Sequence, residues 1–280
     1  MHIKDLRERT FRRRAFNILL KHPTLVFSLF KTREELGRLA WQMELAKYAR
    51  SYQRYLESHN SEYYYQPDGF YICLNPQDTE ISAHIAIDGC WEPETTELVK
   101  KLIRPDSFVV DVGANIGWFT LISAKRASIV HAFEPETLNY SLLERSITIN
   151  SFKNIVLRQL CISDYEGTAE LHLSENAGGH SIIGGGERKV VVPCTTLDRL
   201  YPTETIDLLK IDVEGAEPEV ILGAKQIIQE KRVKHVIMEW NPKVWTGKRH
   251  LLDYFDVFHV DGKTAFEFPN GSINAYMMLR

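Results

Sequence analysis

The sequence predicts an α/β protein with a doubly wound, mostly parallel seven-stranded sheet, an inserted β-hairpin and an N-terminal helical extension. Three observations predict it. From about Pro93 onward, short apolar strand-like runs alternate with helical periodicities, as when crossover helices join parallel strands. A glycine-containing loop, Asp111–Gly117, separates the first of these strands from a helix. Acidic residues stand at the ends of the first two strands, Asp111 and Glu134, where open α/β sheets bind their ligands.

The elements follow in order. Residues 1–65 read as the helical extension and residues 66–280 as the main domain. In the extension, Thr32-Arg33-Glu34-Glu35 fits a capping box, and Leu36, Leu39, Ala40 and Met43 follow at helical spacing. The aromatic cluster Tyr63-Tyr64-Tyr65 marks its exit. Two strands are expected next, Gly69–Leu74 and Ile81–Ile87. Thr95–Ile103 then reads as a helix, Ser107–Val112 as a strand, Gly117–Lys125 as a helix, Ile129–Phe133 as a strand and Glu136–Asn150 as a helix. Ile155–Ile162 is the expected third strand of the alternation. Thr168–Leu173 and Lys189–Cys194 form the predicted hairpin around the glycine-rich stretch Asn176–Gly186. Ile206–Ile211, a helix over Glu217–Glu230 and Val233–Glu239 resume the alternation, and Tyr254–Val260 and Ala275–Leu279 complete it.

Composition sets limits on function. Of the 280 residues, 44% are hydrophobic and 25% charged, ordinary values for a soluble globular chain. A formal charge of -3 gives no reason to expect nucleic acid as a partner. The four cysteines stand apart without a C-x-x-C pair, which suits neither a zinc site nor a disulfide framework and fits a reducing, cytoplasmic setting. The start of the chain is basic but lacks the pattern of a secretory signal. Arg7, Arg9, Arg12, Arg13 and Arg14 interleave with Leu6, Phe11 and Phe16, and such a helix can lie on an anionic membrane surface. Packing on the main domain or on a second subunit is the other reading, so an oligomer stays open.

The sharpest motif is Asp111-Val112-Gly113-Ala114-Asn115-Ile116-Gly117. Gly113 permits a tight turn and a ligand lying on bare backbone, and Gly117 opens the next helix. Glu134, ending the second strand, is placed to accept hydrogen bonds from both ribose hydroxyls of a nucleoside. A nicotinamide-dependent oxidoreductase is the rival reading, yet its G-x-G-x-x-G fingerprint needs glycine where Asn115 stands. Two acids around the loop suit the sulfonium and ammonium of S-adenosylmethionine better than a pyrophosphate. Ser163 and Asp164, closing the third strand, would face the adenine, with Asp164 accepting from its amino group.

The order D-V-G-A-N-I-G, F-E-P, T-L-D and then L-K-I-D-V-E-G-A-E resembles the FkbM family of methyltransferases, over about Trp91 to Glu239. Lys210–Glu217 is its most specific piece, and the lead-in Trp91–Thr95 also matches, which adds Glu92 to the cofactor-binding candidates. The resemblance implies the Rossmann-like class I methyltransferase fold, S-adenosylmethionine as donor, and a hydroxyl acceptor on a sugar, glycolipid or related metabolite.

Methyl transfer to a weakly acidic hydroxyl gains from a general base. Asp212 ends the fourth strand and Glu239 the fifth, with Glu214 in the intervening loop; these three are the catalytic candidates. Together they could instead hold a divalent metal, which is left unassigned. Glu214 or Glu217 has a further reading as a cap on the following helix. His180, in the glycine-rich stretch, is a fourth candidate, with a pKa suited to a base and a place on an expected lid over the substrate.

Overall fold

The computed structural model describes residues 49–58, 63–66, 68–173, 181–183, 188–269 and 271–280. The basic front end, the capping box at Thr32, His180 and most of the glycine-rich stretch lie outside the described residues. Ser51–Arg280 form one compact unit.

Within it, strands β1 (Tyr63–Gln66) and β2 (Phe70–Cys73) pair as an antiparallel hairpin. The three tyrosines therefore open a hairpin instead of closing a helical extension. A short helix over Ile81–Asp88 follows, where a strand was expected. Local capping explains the difference. The Asp78 carboxylate accepts from the backbone N–H groups of Glu80 (2.9 Å) and Ser82 (2.7 Å), donors that a first helical turn leaves free. At the other end Gly89 takes the left-handed conformation and donates to the Ile85 carbonyl.

The chain then runs through the helix Pro93–Leu102, β3 (Phe108–Val112), the helix Trp118–Ala124, β4 (Ile129–Phe133), the helix Thr137–Asn150 and β5 (Ile155–Arg158). The expected third strand is in fact two. Its first half, β5, joins the large sheet, while Cys161–Ile162 forms β6 and pairs in parallel with β8. Strands β7 (Gly167–Leu173) and β8 (Arg188–Thr195) make the antiparallel hairpin predicted from the sequence, so β6, β8 and β7 form a small second sheet.

After the helical turn Leu197–Leu200 the chain returns as β9 (Ile206–Ile211), and β10 (Val233–Trp240), β11 (Phe255–His259) and β12 (Ile273–Leu279) complete the large sheet. Its order is β11-β12-β10-β9-β3-β4-β5. The five strands from β10 to β5 are parallel, and β12 runs antiparallel between β10 and β11. This is the α/β Rossmann-like architecture of the prediction. The single helix expected over Glu217–Glu230 is broken into Glu217–Leu222 and Lys225–Gln229. A Cβ on Gly223 would stand 1.9 Å from the Ser163 carbonyl oxygen, so the chain packs there with bare backbone. The Asp198 carboxylate caps the second piece through Gln226 (2.8 Å) and Ile227 (2.9 Å).

Strand order reverses between β3 and β9: the chain builds outward through β4 and β5, then returns to the other side of β3. At such a switch point the loops diverge and leave a crevice. The apolar residues of β3, β9 and β10, including Val110, Leu209, Ile211 and Val236, form the core beneath it. No helix among the described residues is long and apolar enough to cross a membrane.

Candidate active site

A cavity of about 340 Å³ opens at this switch point, within the size range of small-molecule sites. It has an apolar end and an acidic end.

Glu134 lies towards the apolar end. It is buried at the close of β4 and accepts from the backbone N–H groups of Asn115 (2.8 Å) and Glu136 (2.8 Å). Burial pushes its carboxyl up to about 8, against those two hydrogen bonds. A carboxylate offers about four acceptor positions, so capacity remains for hydroxyl donors. Asn115 holds a positive φ of 51°, a conformation asparagine tolerates better than most side chains, and so turns its N–H toward Glu134. Leu160, Cys161, Ile162, Leu171 and Ile182 add an apolar wall, the last two from the inserted hairpin and its connection. Of the expected lid, Ile182 is described and lines the cavity.

Several predicted residues serve the packing around this cavity. Gly113 lines the cavity, but a Cβ there would lie 1.8 Å from the Asp212 carbonyl oxygen; bare backbone at this position admits the neighbouring loop. Gly117 is not on the wall, because it faces Leu143, 2.2 Å from where its Cβ would be. Asp111 is buried below the cavity and accepts from the Thr120 hydroxyl at 2.6 Å. On this strand the cavity lining ends at Ile162, so Ser163 and Asp164, the expected adenine contacts, lie just beyond it. The Ser163 carbonyl packs against Gly223 while its hydroxyl donates to the exposed Asp164 at 3.2 Å.

The acidic end gathers Glu80, Glu92, Asp212, Glu214 and Glu239, with Lys210 among them. Asp212 accepts from the Lys210 ammonium at 2.8 Å. Glu214, in the loop after β9, has a positive φ of 53°. Its surface faces the open cavity, yet protein surrounds it. That enclosure, followed by the charges of Asp212, Glu239 and Glu217, pushes its carboxyl up to about 9. Glu239 at the end of β10 rises to about 7 for the same reasons, burial first, with Ser272 opposing by a hydrogen bond. Glu92 is raised by burial and by Asp212, and accepts from the Asn274 amide at 2.7 Å. Glu217 does not cap the helix it opens, whose N-terminus has no side-chain cap; its Oε1 instead receives the N–H groups of Val213 (3.2 Å) and Gly215 (3.1 Å) and so shapes the loop that carries Glu214. Among the described residues no group of three or more His, Cys, Asp or Glu side chains is arranged to hold a metal ion.

Sequence reasoning missed Glu80, Ser272 and Asn274, and left Lys210 without a role. Glu80 belongs to the segment read as a strand. Ser272 and Asn274 reach the site only because β12 inserts beside β10, which no local signal announces. Lys210 was visible in the motif, but its depth in the sheet was not.

A family description matches more than half of the chain, and two relatives are themselves methyltransferases. The description "Methyltransferase FkbM domain" matches residues 111–261. Methyltransferase sdnD of Sordaria araneosa is 32% identical over 174 residues, covering 48% of this chain and 67% of that protein. Methyltransferase 1 of Beauveria bassiana is 24% identical over 189 residues, covering 56% and 72%. Among solved structures, methyltransferase FkbM from Methylobacillus flagellatus KT aligns with a TM-score of 0.44 at 15% identity, over 62% of this chain and 44% of that one. None of this supports the oxidoreductase alternative, and the chain belongs to the FkbM family of methyltransferases.

Proposed function

We propose that this protein transfers a methyl group from S-adenosylmethionine to a hydroxyl of a sugar, glycolipid or related metabolite. The observation that carries the reading is one cavity with Glu134 towards one end and Asp212, Glu214 and Glu239 at the other.

The residues fit the donor. Glu134 has free acceptor capacity for ribose hydroxyls, and Leu160, Ile162 and Leu171 offer an apolar surface for a base. Even with Glu214 protonated, the carboxylates of this end outnumber its one lysine, which suits a molecule carrying a sulfonium and an ammonium. When bound, S-adenosylmethionine supplies an activated methyl group for in-line displacement.

The chain's own part is alignment and proton removal. Glu239, whose carboxyl lies near 7, is the best-matched general base for a hydroxyl at neutral pH. Glu214, at about 9, is protonated there and donates a hydrogen bond instead. Two neighbouring carboxyls held at different values divide the acid and base roles between them. Asp212, paired with Lys210, shares the wall with them.

A screen of labelled methyl transfer to free sugars and lipid-linked glycans, with and without magnesium, tests the reading. Methylation of hydroxyls supports it. Methylation confined to amines or carboxylates would overturn the acceptor class. Membrane contact through the basic front end is a separate proposal, tested by comparing vesicle flotation of the full chain with that of a chain beginning at Ser51, where the compact unit starts.

A further inference from the structure

Lys210 sits in the middle of the sheet, its backbone paired with Asp111 of β3 on one side and Ile237 of β10 on the other. Its side chain is 5% exposed. An ammonium at that depth is costly unless other charges meet it. Three carboxylates do. Asp212 Oδ2 accepts from Nζ at 2.8 Å. Asp111 acts through space, and its Oδ1 has no hydrogen-bond partner among the described residues. Glu92 contributes from the cavity wall. Burial disfavours the charged lysine, but these three outweigh it and hold the amine above its usual range. The Phe119 ring supports the ammonium from 4.6 Å. Nothing in a structural role requires Lys210 to reach the cavity, yet it lines the wall beside Asp212 and Glu92.

We propose that Lys210 is a positioning residue for methyl transfer: it holds Asp212 in place and sets how strongly the acidic end of the cavity attracts a cation. The proposal rests on the reading that the sulfonium lies at that end. Without Lys210, Asp212 and Glu92 on the cavity wall and Asp111 buried beneath it would be left uncompensated. With it, the end stays acidic enough for a sulfonium and its carboxylates keep a fixed arrangement.

The test compares calorimetric titrations of the full chain with S-adenosylmethionine and with S-adenosylhomocysteine. The two ligands share every part except the methyl group and its positive charge, so the ratio of their affinities reads the field at the sulfonium. Lys210→Met is expected to shift that ratio toward S-adenosylmethionine by about tenfold, the scale of one charge acting over several ångströms in a partly buried site. Lys210→Arg, which keeps the charge, is expected to leave the ratio within about twofold of the wild type. Equal weakening of both ligands by Lys210→Met would mean a merely structural lysine and overturn the proposal. If that variant does not fold, Lys210→Gln retains a donor to Asp212 without the charge and carries the same comparison. Asp212→Asn separates the two ideas: its ratio should move the opposite way. If it does not move, the placement of the sulfonium fails. If it moves while the lysine variants leave the ratio unchanged, the role of Lys210 fails alone.

Discussion

Gly113 and Asp212 are in backbone contact: a Cβ on the glycine would stand 1.8 Å from the aspartate's carbonyl oxygen. The loop beside Glu134 and the loop that carries the acidic end are therefore one packed unit. Close approach is possible because β3 and β9 are neighbours, with the Asp212 N–H donating to the Val112 carbonyl at 2.9 Å. Gly113 also has a φ of 80°, which side chains other than glycine rarely adopt.

Gly113→Ala should accordingly destabilise the protein by at least about 2 kcal/mol, combining backbone strain with overpacking. Urea denaturation monitored by circular dichroism measures this. A wild-type midpoint would show that the two loops can separate freely.

Glu134→Ala removes a carboxylate that organises Asn115 and Glu136. S-adenosylhomocysteine should bind more weakly by about 1–3 kcal/mol, the scale of leaving buried hydrogen-bonding groups without their partner. Calorimetry checks it, and unchanged affinity would exclude Glu134 from the nucleoside contact.

Burial raises the Glu134 carboxyl from its usual 4.5 to about 8. Between those values the folded state keeps a proton that the unfolded state has lost, so its contribution to stability declines as pH rises through that window. The melting temperature of the ligand-free protein should therefore fall more steeply from pH 5 to pH 8 in the wild type than in Glu134→Gln. Parallel slopes would contradict the assignment.

Glu239 acts as a base only when ionised. With its carboxyl near 7, kcat/KM should rise with pH through about 7 and then level off. Glu239→Gln should lower kcat by about 10²–10⁴-fold and erase that limb of the profile. A limb that survives the substitution belongs to another group.

Asp78 builds the helix that brings Glu80 to the cavity. Asp78→Ala should cost about 1 kcal/mol, as for loss of a helix cap, and chemical denaturation can detect it. An unaltered midpoint would mean that the helix holds without this carboxylate.

The parallel core was legible in the sequence because β3, β4, β9 and β10 are predominantly apolar runs, each closed by a polar or glycine-containing turn. Ile81–Asp88 was not. Ile81, Ala83, Ile85 and Ile87 satisfy a two-residue alternation as well as a helix would, and tertiary capping by Asp78 and Gly89 decides between them. The break at Gly223 depends on contact with Ser163, sixty residues earlier in the chain, which a local pattern cannot carry. In the site, acids at strand ends were readable because sheet topology places them. Asp111 and Asp164 show the limit of that rule: a carboxylate near a strand end can point into the core or to solvent as easily as into the crevice.

Analysis of the atom that receives the methyl group tests the central claim most directly. Labelled S-adenosylmethionine is incubated with the full chain and a panel of polyhydroxylated and amine-bearing acceptors, and the products are resolved by mass spectrometry and NMR. The account predicts label on a hydroxyl oxygen. Label found only on nitrogen would contradict it.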